Sequence, residues 1–317
     1  MKALLKLRVK AFRAEALDVV RLELVDPRGG DLPAFTPGAH VTLHLPNGLQ
    51  RQYSLAGDAR DRTRYVLGVG RAGASRGGSE FVHGQLRVGT EITCNAPTNN
   101  FALVADAPRY LFVVGGIGIT PIMSMIHWCE ANARPWQLVY AARSCVRMGF
   151  YDELRVLGDR VRFHCDDEQG GPLPVEALLA DVKPGTHVYC CGPSPLMESV
   201  RAHGGHIGDA ALHFEWFSAP SAGAPPAQHG SFWVDLKRSG MSLQVSPERS
   251  ILEVLEENGH DVPFSCREGL CGTCETGVCD GEPDHRDYVY PESQRATLKT
   301  MFVCVSRAKS ERLVLDL

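Results

Sequence analysis

The chain has 317 residues, which suggests two or three domains because single domains mostly contain about 100–200 residues. Hydrophobic residues make up 44% and charged residues 22%, a balance that excludes disordered and fibrous proteins. The net charge is -4, so there is no basic excess to indicate binding to nucleic acid.

Neither a signal peptide nor a membrane span is expected. Charges interrupt the first twenty residues, and the longest uncharged run, 110–126, is shorter than the ~20 residues of a span. Eleven cysteines, an odd number, indicate metal ligands rather than the disulfide framework of a secreted protein. We therefore predict a cytoplasmic protein with reduced thiols and no membrane partner.

Residues 1–105 form the first predicted domain. Short segments rich in Val, Leu and Tyr alternate with Pro, Gly and Asn turns, as in the strand 41–45, the turn 46–48 and the strand 50–55. This pattern predicts antiparallel strands in a barrel or sandwich.

Residues 106–219 change in character. Strand-like runs (110–114, 136–141 and 187–191) alternate with helical stretches (121–132, 175–179 and 195–202). This alternation predicts an α/β domain with a parallel sheet.

Residues 220–230 are a Pro/Ala/Ser/Gly segment that we predict to be a linker, and residues 231–317 form the last predicted domain. That domain begins with a predicted hairpin over 231–245. A helix follows over 250–258, with Glu253 three residues after a capping Ser250, and the chain closes on the strand 313–317.

Cysteines at 266, 271 and 274 form C-x4-C-x2-C, and Cys304 follows after 29 residues. This is the spacing of plant-type [2Fe–2S] proteins, in which two irons each need two thiolates. A structural zinc site is the alternative, although zinc ribbons favour paired C-x2-C knuckles. Cys279 does not fit the spacing, so we expect it to be a small buried hydrophobe.

Two segments predict a nucleotide site. In the first, a buried strand runs into Gly115, Gly116 and Gly118, and a helix then opens near Pro121. Glycines let a pyrophosphate approach the backbone, and the helix N-terminus offers N–H groups to it. In the second, a strand ends in Cys191-Gly-Pro193 before another helix. Tight structural turns would explain either segment alone, whereas both together favour one shared ligand.

A flavin site is predicted in the first domain. Arg51-Gln-Tyr-Ser54 lies on one strand, and alternation places Arg51 and Tyr53 on one face with Gln52 and Ser54 on the other. Arg76-Gly-Gly-Ser79 offers a cation, amides and a hydroxyl for a phosphate.

R-x-Y-S, GGIGITP and CGP in this order resemble the ferredoxin–NADP reductase superfamily. With a plant-type ferredoxin segment at the C-terminus, the whole chain resembles the phthalate dioxygenase reductase family, which includes vanillate demethylase and carnitine monooxygenase reductases. The resemblance implies an antiparallel β-barrel that binds FMN, an α/β domain that binds NAD, and an α+β domain of the β-grasp type that holds the cluster.

The resemblance also assigns cofactor-binding residues. Those that would contact FMN are Arg51, Gln52, Tyr53, Ser54, Gly68, Val69, Arg76, Gly77, Gly78, Ser79 and Thr120. Those that would contact the dinucleotide are Gly115, Gly116, Gly118, Cys191, Gly192 and Pro193, with Phe217 against the flavin face. Trp216 stands where a small residue is expected.

The implied function is electron transfer from NADH through FMN and the cluster to a Rieske oxygenase, in the catabolism of aromatic or related compounds. No general acid, base or nucleophile is needed. A cytochrome P450 acceptor and a redox sensor without turnover are the alternatives. NADPH also stays open, because no acidic residue follows the strand at 138–141 while Arg143, Ser144 and Arg147 could meet a 2′-phosphate.

Overall fold

The computed structural model describes residues 4–71, 77–218, 230–264, 266–290 and 292–317. The chain divides into two compact units, Met1–Phe217 and Ser218–Leu317. The predicted linker 220–230 lies outside the described residues except for Gly230. The boundary at 105/106 and the other domain limits stay predictions.

The larger unit begins with a six-stranded antiparallel sheet. Its strands are β1 (Leu4–Ala16), β2 (Val19–Val25), β3 (His40–His44), β4 (Gln50–Ser54), β5 (Tyr65–Gly70) and β6 (Glu91–Asn95), with helix α1 (Gly78–Gln85) before β6. The order is β4-β3-β6-β1-β2-β5, and a bridge between Leu55 and Leu67 joins the two ends. Alternate side chains of these strands, such as Leu22, Leu43 and Leu67, fill the interior of the resulting barrel.

A five-stranded parallel sheet follows. Its strands are β7 (Arg109–Gly115), β8 (Trp136–Ala142), β9 (Val161–Cys165), β10 (Thr186–Cys191) and β11 (Leu212–Glu215). Its helices are α2 (Ile119–Ala131), α3 (Tyr151–Arg155), α4 (Asp166–Gln169), α5 (Val175–Ala180) and α6 (Ser194–His203). The three predicted strands are β7, β8 and β10, which lie inside the sheet. The pattern missed β9 and β11, because these edge strands are only half-buried and lack a continuous apolar run.

The strand order β11-β10-β7-β8-β9 places a topological switch between β7 and β10. Ligands of open α/β sheets bind at the carboxyl ends of the strands beside such a switch. The glycine turn 115–118 and the Cys191-Gly-Pro193 turn both lie there.

The smaller unit has a five-stranded sheet in the order β13-β12-β18-β14-β16 and a separate pair, β15 and β17. Its strands are β12 (Phe232–Leu236), β13 (Ser242–Val245), β14 (Glu275–Asp280), β15 (Pro283–Asp284), β16 (Thr300–Phe302), β17 (Arg307–Ala308) and β18 (Arg312–Leu315). Its helices are α7 (Ile251–Glu257) and α8 (Glu292–Arg295). The predicted capping box is confirmed, since Ser250 N donates to Glu253 Oε2 at 2.8 Å and Glu253 N donates to Ser250 Oγ at 3.2 Å.

None of the helices in the described ranges is long and apolar enough to cross a membrane.

Candidate redox site

The two predicted nucleotide turns pack directly on each other. A Cβ atom on Gly118 would lie 2.2 Å from the Cys191 carbonyl oxygen, and one on Gly192 would lie 2.8 Å from the Gly115 amide nitrogen. Any side chain at Gly118 or Gly192 would therefore separate the two turns. Glycine is needed at these positions because the two backbones are in contact. The sequence analysis had explained the glycines by the approach of a ligand.

Gly116, unlike Gly115 and Gly118, has open space where a side chain would lie. Its φ is +53° and a Cβ atom there would meet nothing within 4 Å, so one face of the turn is open. Helix α2 begins at Ile119, directly after the turn. An exposed backbone before a helix N-terminus fits the diphosphate of a dinucleotide.

A hydrogen bond joins the barrel to the carboxyl edge of the parallel sheet. The hydroxyl of Ser54, at the end of β4, donates to the carboxyl group of Glu215, at the end of β11. Glu215 Oε2 is buried without a hydrogen-bond partner among the described residues. Burial raises the pKa of Glu215 to about 8, so its carboxyl group is protonated at neutral pH.

Cys191 lies beside this pair and is fully buried. Burial raises the pKa of its thiol well above the usual value, and the nearby Glu215 carboxyl group adds to that shift. The raised pKa keeps the thiol neutral, which does not suit a nucleophile.

The barrel and the parallel sheet also meet at β5. A Cβ atom on Gly68 would lie 2.7 Å from Thr120 Cγ2 and 2.9 Å from the Phe150 ring, so Gly68 gives these side chains room. Thr120 is 2% exposed and donates its hydroxyl to the Ile117 carbonyl at 3.0 Å. Val69 lies in the barrel core. Gly68 and Thr120, both predicted to border the flavin, are thus direct neighbours.

The predicted phosphate cradle lies at the start of α1. Gly77 takes a left-handed conformation with φ +82° as the N-cap residue. Gly78 packs on the Arg51 side chain, since a Cβ atom there would lie 2.6 Å from Arg51 Nε. A guanidinium group beside a helix N-terminus fits an anion. Ser79 lies in the first turn of this helix, whereas Arg76 lies outside the described residues.

Tyr53 and Gln52 complete the predicted flavin strand. Tyr53 packs against the barrel core, and burial raises the pKa of its hydroxyl to about 12. Gln52 is half-buried opposite Thr42 in the β3–β4 ladder. Tyr53 and Ser54 therefore face opposite ways, as strand alternation predicts.

Trp216, which stands where a small residue was expected, is buried among other side chains of the larger unit. Its ring stacks on Phe214 with centroids 6.4 Å apart, and the Arg201 guanidinium lies 5.0 Å from its centroid. These contacts hold Trp216 against α6. Phe217, the predicted stacking residue, is 41% exposed.

Four cysteines come together in the smaller unit. The Cys266 thiol group contacts those of Cys271 and Cys304, and Cys304 also contacts Cys274. Since neighbouring thiols donate hydrogen bonds to its sulfur, the pKa of Cys266 lies far below its usual range. The four sulfurs gathered by these contacts fit the thiolate ligands of a [2Fe–2S] cluster.

The cluster loop directs backbone N–H groups at sulfur. Glu268 N and Leu270 N donate to Cys266 Sγ at 3.3 and 3.4 Å. Left-handed φ angles of +59° at Arg267 and +69° at Gly269 allow this winding. Hydrogen bonds of this kind orient and stabilise thiolate ligands.

Asp287 orders the segment that hydrogen-bonds to the cluster loop. Its carboxyl Oδ1 accepts from the amides of Val289 and Tyr290, both at 3.0 Å. The amide of the next residue, Tyr288, donates to the Gly269 carbonyl at 2.9 Å. The segment Asp284–Asp287, together with Tyr288, therefore anchors the loop that carries Cys266 and Cys271.

The expectation that Cys279 is buried was wrong. Cys279 is exposed, although the spacing argument excluded it from the cysteine cluster for a separate reason. The β14–β18 register shifts between Val278 and Asp280, which leaves Cys279 as the extra residue of a β-bulge. The expectation rested on the usual burial of free cysteine, whereas a bulge leaves its extra residue outside the regular strand pairing.

The expectation of reduced thiols also fails at one position. Cys145 and Cys165 form a disulfide bond with a Cα–Cα distance of 5.4 Å. Cys145 follows β8 and Cys165 ends β9, at a sequence separation of 20, so spacing gave no signal for the pair.

Sequence reasoning missed the roles of Glu215 and Asp287. A signal for Glu215 was present, since a lone acidic residue within His213–Phe217 ends a strand at the predicted ligand edge. For Asp287 the sequence analysis gave no physical role.

The chain is similar to known proteins along nearly its whole length. Residues 234–309 match the family model described as a 2Fe-2S iron-sulfur cluster binding domain. The phenoxybenzoate dioxygenase subunit beta of Ectopseudomonas oleovorans is 43% identical, over 98% of this chain and 97% of that protein. The crystal structure of phthalate dioxygenase reductase is 40% identical, with a TM-score of 0.73 over 99% of this chain and 98% of that one. The chain belongs to the phthalate dioxygenase reductase family.

A further similarity is to an intact type IV self-sufficient cytochrome P450 monooxygenase, 38% identical with a TM-score of 0.92. It covers 99% of this chain, which spans 41% of that longer one. Membership of the phthalate dioxygenase reductase family confirms the predicted fold class of barrel, parallel sheet and ferredoxin domain. It also confirms an electron-transfer oxidoreductase of oxygenase systems, with pyridine nucleotide, flavin and a [2Fe–2S] cluster as redox groups.

Proposed function

We propose that this protein carries electrons from NADH through FMN and its cluster to the terminal Rieske component of an aromatic or demethylating oxygenase. The observation that supports this best is the hydrogen bond between Ser54 and Glu215 beside Cys191. It brings the predicted flavin strand to the sheet edge where the predicted nucleotide turns end. When bound, the flavin supplies the conversion of a two-electron hydride into single electrons.

The flavin phosphate would lie at the start of α1. Arg51 and the N–H groups of Gly77, Gly78 and Ser79 supply positive potential there, and Arg76 would add a second cation. A single phosphate group suits this short cradle, which favours FMN over FAD. The residues proposed to border the ring are Gln52, Tyr53, Ser54, Gly68, Val69 and Thr120.

The dinucleotide would cross the open face of Gly116 with its diphosphate at the start of α2. Gly115, Gly118, Gly192 and Pro193 keep the two turns in contact, which shapes this path. Cys191 would border the nicotinamide. Phe217, exposed at the end of the unit, would cover the flavin face until the nicotinamide enters.

Glu215 keeps the site neutral. At pH 7 its carboxyl group holds a proton because burial raises its pKa to about 8. A buried carboxylate at this place would oppose the arrival of a hydride, which carries negative charge. The neutral acid can instead hydrogen-bond to Ser54 and to an incoming amide group.

A second acceptor has an observation in its favour. In the self-sufficient cytochrome P450 monooxygenase, a segment 38% identical to this whole chain forms part of a longer protein. A P450 partner is therefore the second candidate. For either acceptor we propose a cytoplasmic location, because the enzyme must meet the cell's NADH pool.

Cys271→Ser in the full chain tests the proposed path. Serine is a harder and more basic ligand than cysteine, so the cluster should be lost while NADH-dependent ferricyanide reduction continues. Reduction of cytochrome c or of the oxygenase should fall at least about tenfold, because these acceptors take electrons from the cluster.

Cys279→Ser is the matched control and should keep iron content, visible spectrum and both activities, because Cys279 is exposed outside the cysteine cluster. Equal iron content in both variants would overturn the ligand assignment. A wild-type protein that binds NADH but reduces neither acceptor would instead favour the redox sensor.

A further inference from the structure

The disulfide bond between Cys145 and Cys165 lies at the carboxyl edge of the parallel sheet. Cys145 begins a single turn after β8, and Cys165 is the last residue of β9. The last register pair of these strands is Ala142 with Cys165. The bond therefore ties the segment 143–149, which we name the β8 loop, to β9 just beyond the end of their ladder.

This bond lies on the adenosine side of the proposed dinucleotide path. The nicotinamide side is marked by Cys191 and Glu215, at the ends of β10 and β11. In the strand order, β8 and β9 lie on the opposite side of β7. A dinucleotide that crosses the turn after β7 places its adenosine ribose at the residues that follow β8, which are Arg143 and Ser144.

Several contacts connect the far end of the β8 loop to the rest of the unit. The Tyr140 hydroxyl donates to the carbonyl groups of Gly116, at 3.0 Å, and Gly149, at 3.3 Å. The Val146 carbonyl accepts from Leu17 N at 2.8 Å. The loop from Val146 onward is therefore held independently of the disulfide bond.

The near end has fewer ties. The Arg143 carbonyl accepts from Asp167 N of α4 at 3.2 Å, and the Ser144 carbonyl accepts from Arg147 N within the loop at 3.1 Å. The connection from these residues to β9 is the Cys145–Cys165 bond. The side chain of Arg143 is exposed and that of Ser144 is half-buried. The disulfide bond is thus the strongest constraint on the two residues nearest the proposed ribose position.

A disulfide bond in this protein also has to be reversible in a cell. Enzymes that use NADH work where thiols are kept reduced, and disulfides found there mostly form and break in response to redox conditions. Cys145 is half-exposed, so a small thiol can reach the bond, while Cys165 is buried.

We propose that Cys145 and Cys165 form a reversible redox modification site that controls dinucleotide affinity. The inference rests on the proposed NADH site. In the disulfide form, the bond holds Arg143 and Ser144 in the geometry that binds the adenosine ribose. In the dithiol form, the near end of the β8 loop gains conformational freedom that binding must then remove, which weakens affinity.

The redox step is balanced by small thiol compounds. Oxidation forms the Sγ–Sγ bond from two thiols, while two electrons and two protons convert a low-molecular-weight disulfide into two thiols. Reduction by a dithiol reverses both changes.

The experiment uses the full-length holoprotein, equilibrated with oxidised glutathione or with a dithiol. Differential alkylation and peptide mass spectrometry measure the state of Cys145 and Cys165. Calorimetric titration with ADP-ribose, which contains the adenosine half and cannot be oxidised, measures affinity, and the visible spectrum verifies that the cluster is intact. We expect the Kd of the dithiol form to be roughly three- to tenfold higher than that of the disulfide form.

Cys145→Ser should bind like the dithiol form under both conditions, whereas Cys279→Ser, which removes an exposed thiol elsewhere, should respond like the wild type. Equal Kd values in the two states, or two thiols that stay unlinked in oxidised glutathione, would overturn the inference. Failure of either form to bind ADP-ribose would instead contradict the proposed dinucleotide site.

Discussion

Glu215→Gln is a direct test of the buried contact between the barrel and the parallel sheet. Glutamine has the shape of protonated glutamic acid but stays neutral at every pH. In the wild type, the pKa of Glu215 is about 8 in the folded protein against a usual value of 4.5. The folded state therefore binds this proton more tightly than the unfolded state does.

The sign of the pH dependence follows from this difference. Below about pH 4.5 both states are protonated and Glu215 costs no stability. Between pH 4.5 and 8 only the unfolded state loses the proton, so the free energy of unfolding falls by about 1.4 kcal/mol per pH unit. Above pH 8 the full cost applies, which is about 5 kcal/mol as an upper bound.

The measurement is urea unfolding of wild type and Glu215→Gln at pH 6, 7 and 8. Tryptophan fluorescence follows the larger unit, since three of the four tryptophans lie within residues 1–217. We expect the difference in free energy of unfolding, variant minus wild type, to increase by about 2 kcal/mol between pH 6 and pH 8.

Glu198→Gln is the matched control, because Glu198 is exposed on α6 and its substitution should give no such trend. A difference between Glu215→Gln and wild type that stays constant over this range would refute the raised pKa. A difference that shrinks as the pH rises would show that the folded protein prefers the carboxylate.

Two further predictions concern the cofactor and the independence of the larger unit. Flavin released by denaturation should co-elute with FMN on chromatography, because the cradle at α1 suits one phosphate, and a dominant FAD peak would contradict this. A chain that ends at residue 220 should fold, keep its flavin and reduce ferricyanide with NADH, since residues 1–217 form a compact unit. This shortened chain should be nearly inactive with cytochrome c, and full activity with that acceptor would show that electrons bypass the cluster. If the shortened chain folds but NADH does not bleach its flavin absorbance, hydride transfer needs the smaller unit.

Features that depend on local spacing could be predicted from the amino-acid sequence. Three of the cluster cysteines lie within nine residues of one loop, Cys266–Cys274, so their spacing already predicts how they can surround a cluster. The interior strands of the parallel sheet could also be predicted from the sequence, because strands buried on both faces need continuous apolar runs. The capping box of α7 was also local and was predicted from Ser250 and Glu253.

Contacts between segments that are distant along the chain could not be predicted before the fold was known. Ser54 ends a strand of the barrel and Glu215 ends the last strand of the parallel sheet, so their hydrogen bond depends on how the barrel packs on the sheet. The pairing of Cys145 with Cys165 depends on β9, an edge strand too polar on its outer side to show in the pattern. Cys279 became exposed through a β-bulge, and bulges depend on the partner strand. Spacing describes neighbours along the chain, whereas burial, pKa shifts and cross-links depend on which segments the fold brings together.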